Sequence, residues 1–166
     1  MSDQIESSIL IERTYAADVK ELWDLWTTKQ GFQSWWGPEG FRADVRIIEP
    51  RHGGALHYDM VADTPQMVAA MKNMGQPIST ECKGSFTEFR PLERLALTQS
   101  IDFLPGVKPY DSTIMVDFFP VADGRVRMVV TLSRMHDAAT TNMQKQGFTS
   151  QLSKLDRRYG GKSKGS

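Results

Sequence analysis

The chain has 166 residues, with 20 basic and 20 acidic side chains, so its formal net charge is zero. That length suits one domain with a core of its own. The charge balance removes the electrostatic case for nucleic acid, which needs a basic surface to neutralise phosphates.

The segment Met1 to Ser8 is polar and no apolar run follows it, so no signal peptide is read. No stretch reaches the roughly 20 apolar residues of a spanning helix, and no membrane insertion is expected. A lone cysteine, Cys82, excludes an intrachain disulfide and suits a reducing compartment. A cytoplasmic chain, monomeric or homodimeric, is the expectation.

The first strand is read over Ser8 to Thr14, where isoleucines partly alternate with polar residues. Asp18 followed by Glu21 resembles a capping box and starts a helix whose apolar face holds Val19, Leu22, Trp23 and Trp26. A second short helical piece runs from Lys29 to Trp35, before Gly37 and Pro38 break it. All four tryptophans fall in this region. Trp23 and Trp26 are expected to pack on a sheet. The adjacent Trp35 and Trp36 are expected to divide, one plugging the closed end of the fold, the other exposed or touching a cavity floor.

Strands follow. Phe41, Ala43, Val45 and Ile47 alternate with Arg42, Asp44, Arg46 and Ile48 as a half-buried strand does. Pro50 to Gly54 is turn material, and Ala55 to Ala62 returns as the second arm of a hairpin. Thr64 to Met74 reads instead as a helix, with Thr64 as cap, Pro65 at its first position and Met67, Val68, Met71 and Met74 at helical spacing. Four further strands are read over Ile78 to Phe89, Leu95 to Phe103, Ser112 to Pro120 and Arg125 to Arg134, the last pair joined by the Asp123-Gly124 hairpin signal. A final helix spans about Thr140 to Tyr159 with Phe148, Leu152, Leu155 and Tyr159 on one face. Lys154, Arg157 and Arg158 near its end complement the helix dipole. Gly160 and Gly161 stop it, leaving 160–166 as a disordered tail and 1–159 as one domain. Consecutive hairpins beside an amphipathic helix give an α+β class with an antiparallel sheet, and a curved sheet under one long helix leaves room between the layers.

The segments VKELWDLWTT and FQSWWGPEGF, then HGGALHYDM, GSFTEFRPLERLALTQ and QGFTSQLSKLDRRY, occur in an order that resembles the heat-shock-protein-90 ATPase activator homologue-like family. That family belongs to the SRPBCC superfamily of START-like and birch-pollen-allergen-like domains. The resemblance spans about Ile9 to Tyr159. It implies the helix-grip fold, a curved seven-stranded antiparallel sheet wrapped round a long carboxy-terminal helix, with two short helices after the first strand. Two positions depart from the family pattern. The methionine-rich Thr64 to Met74 replaces a plain hairpin loop, and Phe148 stands where tryptophan is common.

Chemistry-bearing residues are sparse. Of three histidines, His52 and His136 are expected at the surface. His57 and Asp59 share a strand face. They form either a general base held by a carboxylate or a solvent-facing strand surface, and antiparallel strands favour the second. No HxxxH or CxxC offers a metal site, no GxSxG elbow offers a nucleophile, and no cofactor is expected.

The candidates for lining a ligand cavity are Trp36, Phe41, Tyr58, Met60, Met67, Met71, Phe86, Phe103, Met115, Phe118, Met128, Phe148 and Leu152. Buried aromatics and methionines pack cores by default, and methionine also adapts to varied ligands. The methionine-rich helix reads as a mobile lid or as a cover for the sheet edge. The leading expectation is a domain that binds an apolar or amphipathic small molecule. A chaperone partner, as the family name implies, ranks second, because the eukaryotic activators carry a separate amino-terminal domain not seen here. A cyclase- or aromatase-like enzyme using His57 and Asp59, with Tyr58 or Arg46, ranks third.

Overall fold

The computed structural model describes residues 8–101 and 106–160. In chain order the elements are β1 (Ile9–Tyr15), α1 (Val19–Thr27), α2 (Lys29–Gln33), β2 (Phe41–Ile48), β3 (Ala55–Ala62), α3 (Pro65–Asn73), β4 (Ser79–Arg90), β5 (Arg94–Ile101), β6 (Tyr110–Val121), β7 (Arg125–Leu132) and α4 (Ala138–Tyr159). The seven strands form one sheet in the order β1-β7-β6-β5-β4-β3-β2, every neighbouring pair antiparallel. This is the helix-grip architecture that the sequence leads one to expect.

Local chemistry explains the helix starts. The Asp18 carboxylate accepts from the Glu21 N–H at 2.8 Å. The Thr28 hydroxyl accepts from Gly31 N–H at 3.0 Å, and Thr64 accepts from Met67 N–H at 3.1 Å with Pro65 in the first turn. Each satisfies one of the amide donors that a helix amino terminus leaves unpaired. α4 begins at Ala138 rather than Thr140, because Asp137 caps it through the Thr140 N–H at 2.7 Å. Gly160 ends α4 in the left-handed conformation at φ 66° and so belongs to the helix stop. The rest of the expected tail lies outside the described residues.

Packing corrects one sequence expectation and narrows another. In β2 the alternation breaks at a register shift between Val45 and Ile47. The bulge at Arg46 turns Ile47 outward, 41% exposed, and lets Ile48 pack against the core. Neither Trp35 nor Trp36 is exposed: both are buried, at 0% and 3% exposure, which leaves the second ring the cavity-floor alternative. The chain leaves α2 through a tight turn in which both tryptophan amides bond the Phe32 carbonyl. Their rings stand 82° apart and fit the same aromatic cluster edge to face.

That cluster closes one end of the fold. Trp26 meets Trp35, Trp36 and Phe148, with centroids 5.2, 5.4 and 6.3 Å away, and Phe32 stacks on Trp36 at 4.5 Å. Trp23 packs edge-on to Phe89 and Phe118 of the sheet. The Trp35 Nε1 donates to the Leu25 carbonyl at 2.9 Å, so the buried ring leaves no orphaned N–H.

Candidate ligand-binding interior

On the strands β3, β4 and β5 the inward face turns partway along from fully buried to half-buried positions. On β3 the side chains run from Leu56 and Tyr58, both buried, to Met60, which is half-buried. On β4 they run from buried Phe86 to half-buried Cys82 and Thr80, and on β5 from buried Leu95 and Leu97 to half-buried Gln99. Register places these positions side by side: Tyr58 pairs with Cys82, Gly84 with Gln99, and Gln99 with Ser112. Gly84 contributes no side chain in the middle of this row, and a Cβ there would come within 3.1 Å of the Gln99 side chain. The concave face under α4 therefore has a packed apolar half and a more polar half.

The polar half is organised around Tyr58. Its phenol oxygen accepts from Trp36 Nε1 at 3.0 Å and from Gln99 Nε2 at 2.6 Å, and Cys82, its cross-strand neighbour, donates its thiol to the Thr80 carbonyl at 3.8 Å. Burial, foremost, holds the phenol's pKa far above its ordinary value. Burial likewise pushes the Cys82 thiol up to about 11; the Tyr58 hydroxyl opposes that, and Asp59 and Glu81 add to it. Both groups are neutral at physiological pH.

α4 roofs this space with Thr141, Gln144, Phe148, Gln151, Leu152 and Leu155, the stripe that helical spacing turns inward. Gln151 is 4% exposed. Its Oε1 accepts from the Gly37 N–H at 2.8 Å, which fixes the amide so that Nε2 points elsewhere, and that buried Nε2 has no partner. Gly37 itself has φ 105°, and a Cβ on it would lie 3.0 Å from Met60 Sδ, so the Gln151 amide, Met60 and Trp36 converge on one corner. Gln144, one turn before Phe148, buries an equally unpartnered Oε1. The third such atom is Trp26 Nε1, enclosed by rings whose faces can receive it weakly. Buried polar atoms are almost always satisfied, and an orphan costs about 1–3 kcal/mol.

The sequence of residues 16–160 matches the profile described as Activator of Hsp90 ATPase homolog 1-like protein. The chain belongs to that family. Solved structures agree on the fold. A protein from Chromobacterium violaceum is 18% identical, with TM-score 0.71, over 92% of this chain and 96% of that one. The AHSA1 protein of Silicibacter pomeroyi is 20% identical, with TM-score 0.70, over 91% and 96%. An AHSA1-like protein of Aeromonas hydrophila is 17% identical, with TM-score 0.67, over 90% of each chain. No curated protein matches. Among the described residues no helix is long and apolar enough to cross a membrane, and no cluster of histidine, cysteine and carboxylates is arranged to hold a metal.

Within this family member the sequence-derived candidates scatter. Trp36, Tyr58 and Met60 meet at the corner just described. Phe148 roofs it, its ring 6.0 Å from Trp36. Phe86, Phe118, Met128 and Leu152 are buried in the packed core. Met115 lies on the opposite face of β6, between inward-facing Ile114 and Val116. Phe103 falls outside the described residues. Phe41 is half-buried on the edge strand, its carbonyl accepting from Lys154 Nζ at 3.2 Å.

Met67 of α3 packs on the turn before β2, where a Cβ on Gly40 would come within 2.9 Å of its Cε, and Met71 is half-buried one turn on. None of α3's residues is buried. Outside it, a surface groove of about 500 Å³ is lined by Arg42, Asp63, Val68 and Lys72. Arg42 there is already held by Asp44 and Asp63 at 3.0 and 2.8 Å.

His57 and Asp59 alternate with Leu56 and Tyr58 and so stand on the outer face of β3. Arg46 grips the Asp59 carboxylate at 3.0 Å on that face. The two are therefore apart from Tyr58 and the interior. Sequence reading passed over Gln99, Gln144 and Gln151. The signal for the last two was present: each glutamine interrupts the stripe that otherwise carries Phe148, Leu152 and Leu155.

Proposed function

We propose that this protein binds a small amphipathic molecule in the space between the concave sheet face and α4, its apolar part against Met60, Trp36 and Phe148. The observation that carries the reading is the Gln151 amide. It is a buried, oriented donor without a partner, in a corner where Met60, Cys82 and Gln99 are only half-buried. A bound molecule supplies the missing acceptor and removes that cost. The fold by itself carries no function.

α3 bears Met67 and Met71 beside the Gly37 to Gly40 turn, and it serves as the mobile cover of this interior. The chaperone role that the family name brings has no particular surface feature in its favour.

Native mass spectrometry of the gently purified protein, together with titration by the neutral fluorophore aminoanthracene, tests the reading. The expected result is a co-purifying small molecule, or saturable fluorophore binding. A bare protein that takes up no fluorophore, while accelerating a chaperone's ATPase in a coupled assay, would move the function to the second class.

A further inference from the structure

The two unpartnered amides on α4 carry information about the ligand's chemistry. Gln144 and Gln151 are seven positions apart on the same stripe, so their backbones are about 10 Å apart along the axis, with Phe148 between them. Gln151 offers a donor, Nε2, and Gln144 an acceptor, Oε1. The Gly37 N–H occupies the other end of the Gln151 amide, so that donor cannot turn into an acceptor without losing a bond.

The charge around them is equally informative. On the concave face, among the described residues, Arg13 is the charged side chain of the sheet. It is occupied by Asp156 of α4, Nε to carboxylate at 3.2 Å. Tyr58, Cys82, Gln99, Ser112 and Thr141 are all neutral groups. Lys154, three residues after Gln151 on α4, is the cation beside the Gly37 corner, and its Nζ is engaged by the Phe41 carbonyl of the edge strand at 3.2 Å. An ionised head lying between Phe148 and Gln144 would be stripped of water away from that cation, at a cost that neutral hydrogen bonds do not return.

We infer, on the footing of the ligand-binding reading above, that the ligand is uncharged and bipolar along α4. It presents a carbonyl-type acceptor to Gln151, an apolar span to Phe148, and a hydroxyl or N–H donor to Gln144. This excludes free fatty acids, organic phosphates and amines as the ligand class. It favours neutral molecules with an ester, ketone or amide at one end and a hydroxyl roughly 10 Å away, the separation of the two glutamines on the helix.

The test uses three probes of matched length, each displacing aminoanthracene from the whole protein at neutral pH: methyl ω-hydroxyoctanoate, methyl nonanoate and the ω-hydroxyoctanoate anion. Transfer from water alone favours methyl nonanoate, the most apolar of the three. A specific site reverses that order. The hydroxy ester should bind roughly fivefold tighter than methyl nonanoate, as one neutral hydrogen bond provides. The anion should bind at least about tenfold weaker than the hydroxy ester.

Gln144→Met should erase the hydroxyl's advantage and leave methyl nonanoate unchanged, whereas Gln151→Met should weaken both esters. Thermal melts with each variant confirm that the fold persists. If the anion binds as well as the hydroxy ester, or the hydroxyl's advantage survives Gln144→Met, the inference is overturned while ligand binding stands. If the protein carries no co-purifying molecule and aminoanthracene does not bind, the ligand-binding reading falls, and this inference with it.

Discussion

Trp36 and Tyr58 are joined across the floor of the interior by a hydrogen bond of 3.0 Å from the indole Nε1 to the phenol oxygen. The same oxygen accepts from Gln99 Nε2, so one hydroxyl satisfies two donors brought from distant parts of the chain. Tyr58→Phe deletes the acceptor and leaves both donors unpaired, a loss of about 2–4 kcal/mol. Gln99→Leu removes a donor and leaves the Trp36 bond intact, a loss of about 1 kcal/mol. Urea denaturation of the two variants should give that order. An equal effect would mean that the phenol is not the hub.

The aromatic cap is a structural element, and α3 is not. Trp35 is fully buried against Trp26, Trp36 and Phe148, and its N–H is bonded. Trp35→Ala should cost about 3–5 kcal/mol. Met71→Ala, on a helix without a buried residue, should change stability by less than about 1 kcal/mol. Comparable losses at the two sites in a thermal melt would contradict this, and would make α3 part of the core rather than a cover.

The elements of the fold were largely legible because each had a local cause. Asp18, Thr64 and Pro65 mark helix starts, and Asp123-Gly124 adopts the paired positive φ of 66° and 67° that a two-residue hairpin turn requires. What escaped depended on contacts between segments far apart in sequence. The bulge at Arg46 shows in the register with β3 and not in the β2 pattern, so Ile47 was read as inward. Trp35 and Trp36 both turn in because α4 brings Phe148 across the chain to meet them. The polar row Tyr58, Cys82, Gln99 and Ser112 arises from register among four strands, which no single strand announces. Met115 and Phe118 look alike as apolar strand residues, and only pairing decides which side of the sheet each one takes.

Cys82 should be a quiet thiol. Burial holds its pKa at about 11, above the value near 9.0 of an exposed cysteine. Iodoacetamide should label the folded protein far more slowly than the urea-unfolded chain at neutral pH. The linkage has a definite sign. The folded pKa is the higher one, so the neutral thiol's contribution is fully present below about pH 9. It is lost as pH rises through about 11, where the unfolded chain ionises first. The gap in melting temperature between the parent and Cys82→Ala should therefore shift against the parent on going from pH 8 to alkaline conditions, by about the same amount in low and high salt. Fast labelling of the folded protein would show that the thiol is not enclosed.

Asp156 fastens the last helix to the first strand. Its carboxylate accepts from Tyr15 Oη at 2.8 Å and Arg13 Nε at 3.2 Å, and the Arg13 side chain is only 11% exposed. Nearby, the Ala16 N–H donates to the Tyr159 carbonyl. Asp156→Ala strands a largely buried guanidinium and should cost about 3 kcal/mol, because a buried charge left alone is dearer than the pair was favourable. The same reasoning makes the pair replaceable: Arg13→Met combined with Asp156→Leu should recover most of that loss. Denaturant midpoints of the two single variants and the double variant form a cycle that decides the point. If the double variant is as unstable as the sum of the singles, the contact acts through geometry specific to the carboxylate and its tyrosine, and the electrostatic account of this joint is wrong.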